Sequence, residues 1–266
     1  MTEPLGRAET RALLERHAIR LRKDLGQHFL VEPNVVRRIV EIAGVAPGSR
    51  VLEIGAGAGT LTRALADAGA DVVAYEIDVS LAPLLEETVG DRAEIRFEDA
   101  ASVDFDDSLP VGEWTVVANL PYNVGTPLVL DLLRKVPRIT RLVVMLQLEA
   151  VERLAAGPGS KVYGLPSVVV ALHGTIRVAM RVPPHLFVPA PPVESAIAVI
   201  ERIEPAPEAE KAIAIATVAF NQRRKMLRSS LRHLVSVEQL ALAGIDPTAR
   251  PEDLEAADFL AMARAA

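Results

Sequence analysis

Residues 51–65 read VLEIGAGAGTLTRAL, and this stretch decides the fold. A short apolar run at 51–54 is followed by glycines at 55, 57 and 59, and a helix-forming segment begins at Thr60. Alternating glycines between a strand and a helix let the backbone approach a ligand closely. Taken alone, the pattern is equally typical of a tight strand–helix turn, so the neighbouring sequence must decide between the two.

Strand-like and helix-like segments alternate on the C-terminal side of this stretch. Further strands are predicted at 72–75, 94–97, 115–118 and 141–146, with helices at 80–88 and 126–133 between them. This alternation predicts a mostly parallel sheet covered on both faces, an α/β fold. Two helices follow at 147–156 and 165–173, and then two strands at 175–182 and 195–202. From 209 the chain is predicted to be helical, at 209–233, 237–243 and 251–264. The N-terminal residues 7–24 also have helical character.

Acidic residues follow two of the predicted strands. Glu76 stands 21 residues after Gly55, at the position where an acid bonds a ribose diol in nucleotide-binding folds, and Asp99 ends the next strand, where it could bond an adenine amino group. The spacing Gly-x-Gly-x-Gly differs from the Gly-x-Gly-x-x-Gly of dinucleotide-binding folds, and no basic residue is placed for a pyrophosphate. S-adenosyl-L-methionine therefore fits this pattern better than NAD.

The strand at 115–118 runs directly into the sequence Asn119-Leu120-Pro121-Tyr122. The amino nitrogen of adenine is a poor nucleophile because its lone pair is delocalised into the ring. The Asn119 side-chain oxygen and the Leu120 carbonyl could accept its N–H bonds and draw the nitrogen towards a reactive form. Pro121 fixes the turn, and the Tyr122 ring can stack on the base for roughly 1–3 kcal/mol, with no role for its hydroxyl. The alternative is an ordinary turn at a strand end.

Composition limits the possible partners. The chain has 266 residues, no cysteine and five scattered histidines without metal-ligand spacing, and no apolar run is long enough to span a bilayer. We therefore expect a cytoplasmic protein, with no metal site and no membrane association, and a monomer. The net charge is −6, but basic residues cluster: eight Lys or Arg lie in 134–181 and five in 221–234.

The second basic cluster consists of Arg223, Arg224, Lys225, Arg228 and Arg232, with no acid among them. If 209–233 is one helix, Arg224, Arg228 and Arg232 share a face because they are four residues apart. An acidic chain can still present a basic face to RNA. We expect this cluster to contact phosphates; the alternative is a solvated helix face.

Taken together, these motifs resemble the ribosomal RNA small-subunit adenine dimethyltransferases, over nearly the whole chain. The resemblance is carried by LGQHFL (25–30), EIGAGAGTLT (53–62), YEID (75–78), ANLPYNVGTPL (118–128), FVPAPPVES (187–195) and AFNQRRKMLRSSL (219–231). It implies a Rossmann-like S-adenosylmethionine-dependent methyltransferase domain at 1–203, with a mostly parallel seven-stranded sheet, and a small all-helical domain at 204–266. The implied reaction methylates the amino groups of two adjacent adenosines near the 3′ end of small-subunit (16S) ribosomal RNA in the pre-30S particle, with a role in ribosome assembly.

The resemblance also implies roles for individual residues. Those at the reaction would be Asn119, Leu120, Pro121, Tyr122 and Phe187, with Phe187 stacking on the target base opposite Tyr122. Those at the cofactor would be His28, Leu30, Gly55, Gly57, Glu76, Ile77, Asp99 and Asn119. Those at the RNA would be Arg223, Arg224, Lys225 and Arg228. The family usually has Asn where this chain has His28, and a titrating ring there would add pH sensitivity.

Three other functions are open at this stage. The related methyltransferases of large-subunit RNA, which confer macrolide resistance, tend to be strongly basic. They differ from the small-subunit enzymes in the aromatic-proline stretch, 187–195 in this chain, and in the C-terminal domain. An RNA-binding assembly factor could use the same scaffold without catalysis, although the intact motif residues argue against it. A DNA adenine methyltransferase would need a target-recognition domain, for which 60 helical residues make a small candidate.

Overall fold

The structure is a computed structural model that describes residues 3–266, without the side chain of Lys23. It has nine strands: β1 Phe29–Leu30, β2 Arg50–Ile54, β3 Asp71–Tyr75, β4 Glu94–Arg96, β5 Trp114–Asn119, β6 Ile139–Gln147, β7 Gly174–Val182, β8 Phe187–Val188 and β9 Ser195–Arg202. The α-helices are α1 Arg7–Arg16, α2 Pro33–Ala43, α3 Thr60–Asp67, α4 Ala82–Thr88, α5 Phe105–Ser108, α6 Gly125–Lys135, α7 Leu148–Leu154, α8 Leu165–His173, α9 Ala209–Phe220, α10 Leu227–Ser230, α11 Val237–Leu242 and α12 Ala256–Ala265.

Seven strands form one sheet in the order β4-β3-β2-β5-β6-β9-β7. Strands β2 to β6 pair in parallel, and β9 pairs antiparallel to β6. The central strands are buried on both faces, as expected for a parallel sheet covered by helices. The predicted fold class, a mostly parallel seven-stranded sheet with helices and a helical C-terminal region, is confirmed.

The strand order places the site. From β2 the chain continues outward to β3 and β4, then returns to β5 on the other side of β2. The crevice at the carboxyl ends of β2 and β5 is therefore the topological switch point, where ligands bind in open α/β sheets. The glycine loop that follows β2 and the NLPY sequence that follows β5 meet there, since a Cβ on Gly55 would lie 3.4 Å from the Asn119 carbonyl oxygen.

Two of the loop glycines have a clear physical reason. Gly59, which precedes α3, has a φ of +75°, and a Cβ there would lie 2.6 Å from the Thr88 hydroxyl and 2.7 Å from Val89 at the end of α4. Gly57 has a φ of +56°, and a Cβ would meet the Phe29 ring at 3.0 Å. Left-handed backbone and close packing both favour glycine at these positions.

The chain divides into two compact units. The first comprises the residues up to Val151 together with Arg177–Glu201, and the second comprises Glu152–Ile176 and Arg202–Ala266. The sequence-based boundary at 203/204 lies close to the junction at 201/202. The structure also assigns 152–176, including α8, to the second unit, a segment that the sequence analysis had given to the first domain.

In the first unit, the N-terminal segment holds the proline-rich loop at 183–193. Strand β1 pairs antiparallel with β8, Phe29 opposite Val188 and Leu30 opposite Phe187. The Arg7 guanidinium also donates to the backbone carbonyls of His185 and Phe187. Helix α1 ends at Arg16, well short of the predicted residue 24, and Ala18 has a φ of +51°.

In the second unit, the predicted single helix over 209–233 is wrong. Helix α9 ends at Phe220, residues 221–225 form turns and a bend, and α10 is a separate helix of four residues. The stretch 221–225 contains only polar residues, so a continued helix would have no apolar face to bury there. Leu227 and Leu231 return the chain to the core, both fully buried. Arg224, Arg228 and Arg232 therefore do not share one helix face.

Across residues 3–266, none of the helices combines the length and the apolar character that crossing a membrane requires.

Candidate active site

A cavity of about 290 Å³ opens at the carboxyl ends of β2 and β5. This volume is close to the lower end of small-molecule sites, roughly 300–1,000 Å³. Ten of the predicted site residues line it: His28, Gly55, Gly57, Glu76, Ile77, Asp99, Asn119, Leu120, Pro121 and Tyr122. The fold therefore gathers residues from five segments that are far apart in sequence, because parallel strands end at one edge of the sheet.

Asn119 is held in one orientation. Its side-chain Nδ2 donates to the backbone carbonyl of His28 at 3.0 Å, and a carbonyl can only accept, so the amide group faces that carbonyl and the oxygen faces away. Neither the Asn119 Oδ1 nor the Leu120 carbonyl oxygen accepts a hydrogen bond from the described residues. The cavity edge therefore carries two adjacent acceptors with free lone pairs.

Tyr122 is fixed at both ends of its side chain. Its hydroxyl shares a hydrogen bond of 2.7 Å with the Ser195 hydroxyl, and Ser195 is fully buried at the start of β9. Burial raises the pKa of Tyr122, so its hydroxyl is protonated at neutral pH. The His28 ring stacks on the Tyr122 ring with centroids 5.6 Å apart and an interplanar angle of 26°. The hydroxyl therefore has a partner that the sequence analysis did not predict.

Glu76 organises the glycine loop. One carboxylate oxygen accepts from the Gly57 N–H at 2.8 Å and the other from the Asp78 N–H at 2.9 Å. The side chain is nearly buried, and this burial raises the pKa of Glu76 despite the two hydrogen bonds. Asp99 also lines the cavity but is exposed, and its Oδ1 accepts from the Ala101 N–H at 3.0 Å. Ile77 is 46% exposed and contributes an apolar side chain to the cavity lining.

The charge of the cavity indicates its ligand. Three carboxylate residues line it, Glu76, Glu98 and Asp99, and among the described lining residues none is Lys or Arg. Such a cavity would repel a pyrophosphate and attract a cation. S-adenosylmethionine carries a sulfonium and an ammonium group together with a ribose and an adenine, so the residues present fit it better than they fit a dinucleotide.

Two residues predicted at the reaction or the cofactor do not line this cavity. Leu30 lines an adjoining cavity of about 40 Å³, which shares Gly55, Gly57 and Asn119 with the first. The Phe187 ring is 1% exposed, in the core beside β1, so in this structure it is not available to stack on a base. The physical reason is the β1–β8 pairing, which turns Phe187 inward; the pairing of two short segments more than 150 residues apart leaves no periodicity in the sequence.

Several residues around the site were missed by the sequence analysis. Gln27 donates to Asp78 at 2.6 Å and so ties the LGQHFL segment to the end of β3. Burial of Asp78 alone would raise its pKa, but hydrogen bonds from Ser80 and Gln27 outweigh this and lower it. Glu53 on β2 is 1% exposed; its burial raises its pKa to about 8, and nearby Glu76 adds to the effect. An acid inside an apolar strand was the signal that could have drawn attention to Glu53.

The predicted RNA-binding residues all lie in the second unit, but they differ in their surroundings. Arg224, Lys225 and Arg228 are exposed. Arg223 instead makes an ion pair of 2.7 Å with Glu252 and donates to the Ser160 carbonyl at 3.3 Å. Arg223 therefore already holds its own unit together, whereas the other three present their charges to solvent.

No group of three or more potential metal ligands occurs within the described part of the chain.

Comparison with known proteins agrees with the resemblance that the motifs indicate. Residues 18–266 match the model of the family described as ribosomal RNA adenine dimethylase. A protein of Nocardia farcinica named ribosomal RNA small subunit methyltransferase A is 44% identical, over 97% of this chain and 94% of its own length. A protein of the same name from Leifsonia xyli subsp. xyli is 43% identical, over 97% of both chains.

Two solved structures have the same architecture. The 23S rRNA methyltransferase ErmE superposes with a TM-score of 0.71 at 26% identity, over 89% of this chain and 98% of its own. A dimethyladenosine transferase from Plasmodium falciparum also superposes with a TM-score of 0.71, at 23% identity, over 88% of this chain and 96% of its own.

Proposed function

Because the chain belongs to the ribosomal RNA adenine dimethylase family, as its motifs predicted, we propose that it methylates small-subunit ribosomal RNA. The methyl groups would come from S-adenosyl-L-methionine and go to the exocyclic amino groups of two adjacent adenosines near the 3′ end of 16S RNA, in the pre-30S particle. The observation that supports this reaction best is the pair of free acceptors, Asn119 Oδ1 and the Leu120 carbonyl, at the edge of an acidic cavity.

The two acceptors act on the target amine. Each takes one N–H of the adenine amino group, which withdraws the nitrogen lone pair from the ring and directs it towards the cavity. Because the Nδ2 of Asn119 is held by the His28 carbonyl, the amide cannot turn its donor towards the amine. Such preorganisation avoids a reorganisation cost during the reaction. No strong base is needed, since the alkylated amine is acidic and releases its proton to water.

The cofactor would be held by the acids and the glycine loop. Glu76 would bond the ribose diol, Asp99 the adenine amino group and Ile77 the adenine face, while Gly55 and Gly57 would let the backbone approach; all five residues line the cavity. When bound, S-adenosylmethionine supplies an electrophilic methyl group. Replacing Glu76 with Ala should cost roughly 1–3 kcal/mol of cofactor binding, on the scale of hydrogen bonds to a charged group, which calorimetry would measure.

Binding of RNA would rely on phosphate contacts from the exposed cations Arg224, Lys225 and Arg228 of the second unit. Arg223 would support this surface through its ion pair with Glu252. Such contacts position RNA without reading its sequence, so the choice of adenosines would be made elsewhere.

The small subunit is favoured over the large one by the relatives. Those named for the small subunit are 43–44% identical over nearly the full chain, against 26% for the structure named for 23S RNA. Transfer of tritiated methyl groups to unmodified small and large subunits would test this directly, with mass spectrometry of the RNA to locate the product.

We expect incorporation into small subunits only, and Asn119→Ala should reduce it far more than it weakens cofactor binding. Incorporation into large subunits alone would assign the chain to the macrolide-resistance type of activity. Binding to small subunits without any incorporation would instead support a non-catalytic assembly factor.

A further inference from the structure

His28 contacts both residues that the proposed reaction depends on. Its backbone carbonyl accepts from the Asn119 side chain at 3.0 Å, and its ring stacks on Tyr122. Its Nδ1 lies 2.8 Å from the Pro189 carbonyl oxygen. A carbonyl only accepts, so Nδ1 is the donor in that bond and the ring plane is held by it. His28 thus links the LGQHFL segment, the NLPY turn and the proline-rich loop.

The stacking leaves no room for a base between the two rings. Inserting one would require centroids about 7 Å apart, twice the roughly 3.4 Å step of stacked bases. The observed separation is 5.6 Å, within the ordinary range for a stacked aromatic pair. One face of Tyr122 is therefore already covered by this chain.

The opposite end of Tyr122 is held by the same loop. The loop that accepts from His28 at Pro189 continues to Ser195, whose hydroxyl bonds the Tyr122 hydroxyl. The ring can neither tilt away from His28 nor rotate its hydroxyl out without breaking one of these contacts. The Tyr122 ring is thus held in one orientation at the cavity that it lines.

We propose that His28 is a positioning residue for the target adenosine: by covering one face of Tyr122, it restricts stacking of the base to the other face. This inference rests on the proposed function and goes beyond it, because the resemblance assigned His28 only to the cofactor. The role belongs to the His28 ring, because the ring is the part of this residue that stacks on Tyr122.

Three substitutions separate positioning from cofactor contact. His28→Phe keeps a ring that can stack, His28→Asn keeps a polar side chain without a ring, and His28→Ala removes both. His185→Ala is the matched control, because it removes an exposed imidazole from the neighbouring loop. The measurements are kcat and KM for methyl transfer to unmodified small subunits, together with calorimetric binding of S-adenosylmethionine.

We expect His28→Ala and His28→Asn to lower kcat roughly 2- to 10-fold, the loss that one aromatic stacking contact implies. KM should change little, since phosphate contacts dominate affinity for RNA. His28→Phe should recover most of the loss, and cofactor affinity should be the same in all variants.

The inference is overturned if His28→Phe is as impaired as His28→Ala, if His28→Ala retains the full rate, or if the losses follow cofactor affinity. A faster His28→Ala would overturn it too, because the ring would then be an obstacle to the base. A wild-type chain without any methyl transfer would refute the proposed function itself, and this inference with it. An active wild type accompanied by any of the preceding outcomes refutes this inference alone.

Discussion

Replacing Tyr122 with Phe should destabilise the first unit, while the ring that stacks stays in place. The substitution keeps the ring but removes the hydroxyl that shares a 2.7 Å hydrogen bond with Ser195. Ser195 is fully buried, so its hydroxyl would be left without a partner and without access to water. A buried polar group that loses its partner costs roughly 1–3 kcal/mol, and we expect a loss of stability in that range.

A double-mutant cycle isolates this bond. Ser195→Ala alone should cost less, because Tyr122 is only half-buried and its hydroxyl can turn to water. The double variant Tyr122→Phe/Ser195→Ala removes both partners and should recover part of the loss, leaving a coupling energy of about 1 kcal/mol.

The assay is urea unfolding followed by the fluorescence of Trp114. It is the only tryptophan of the chain, 3% exposed, and lies at the start of the strand that ends in Asn119, so its signal reports on the first unit. Strict additivity of the two substitutions would refute the energetic role of this bond. A folded Tyr122→Phe without any methyl transfer would show instead that the hydroxyl takes part in the chemistry.

Three further outcomes follow from charges and glycines. The pKa of Glu53 is about 8 against an ordinary 4.5, so its contribution to stability is full below about pH 4.5 and is lost as the pH rises through 8. Glu53→Gln should therefore be more stable than the wild type at pH 8, by up to about 5 kcal/mol. Urea unfolding between pH 4.5 and 8 would measure this, and equal free energies of unfolding for the two chains at every pH would contradict the assignment. Arg224→Glu/Arg228→Glu should weaken binding to small subunits and flatten its log–log salt slope by about 1.4, with cofactor affinity unchanged; an unaltered slope would move the RNA surface elsewhere. Gly59→Ala should destabilise the protein by roughly 1–3 kcal/mol more than Gly90→Ala, since both glycines have a positive φ but a Cβ at Gly90 meets nothing within 4 Å. Equal losses of stability would mean that backbone strain, and not close packing, accounts for the effect.

The parts of the site that the sequence predicts are those that follow from strand ends. Gly55, Glu76, Asp99 and Asn119 each come directly after a run of strand-forming residues, and parallel strands bring such ends together. The fold class follows from the same alternation. Neither requires knowledge of any particular side-chain contact.

What the sequence does not predict depends on pairs that are distant along the chain. The partners of Tyr122 and His28 are Ser195 and Pro189, 73 and 161 residues away, and no periodicity encodes such pairs. The burial of Phe187 by β1 is of the same kind. The end of α9 at Phe220 was missed for a different reason. The predicted helix was extended through 221–225, where no apolar residue supports it.

The hydrogen bond that orients Asn119 goes to a backbone carbonyl, and every amino acid supplies one. The side chain at residue 28 can therefore be replaced without removing the bond that orients the Asn119 amide. What a replacement changes is how the neighbouring Tyr122 ring is supported. A substitution at the rim of the site can in this way alter the handling of RNA while the group that activates the amine stays the same.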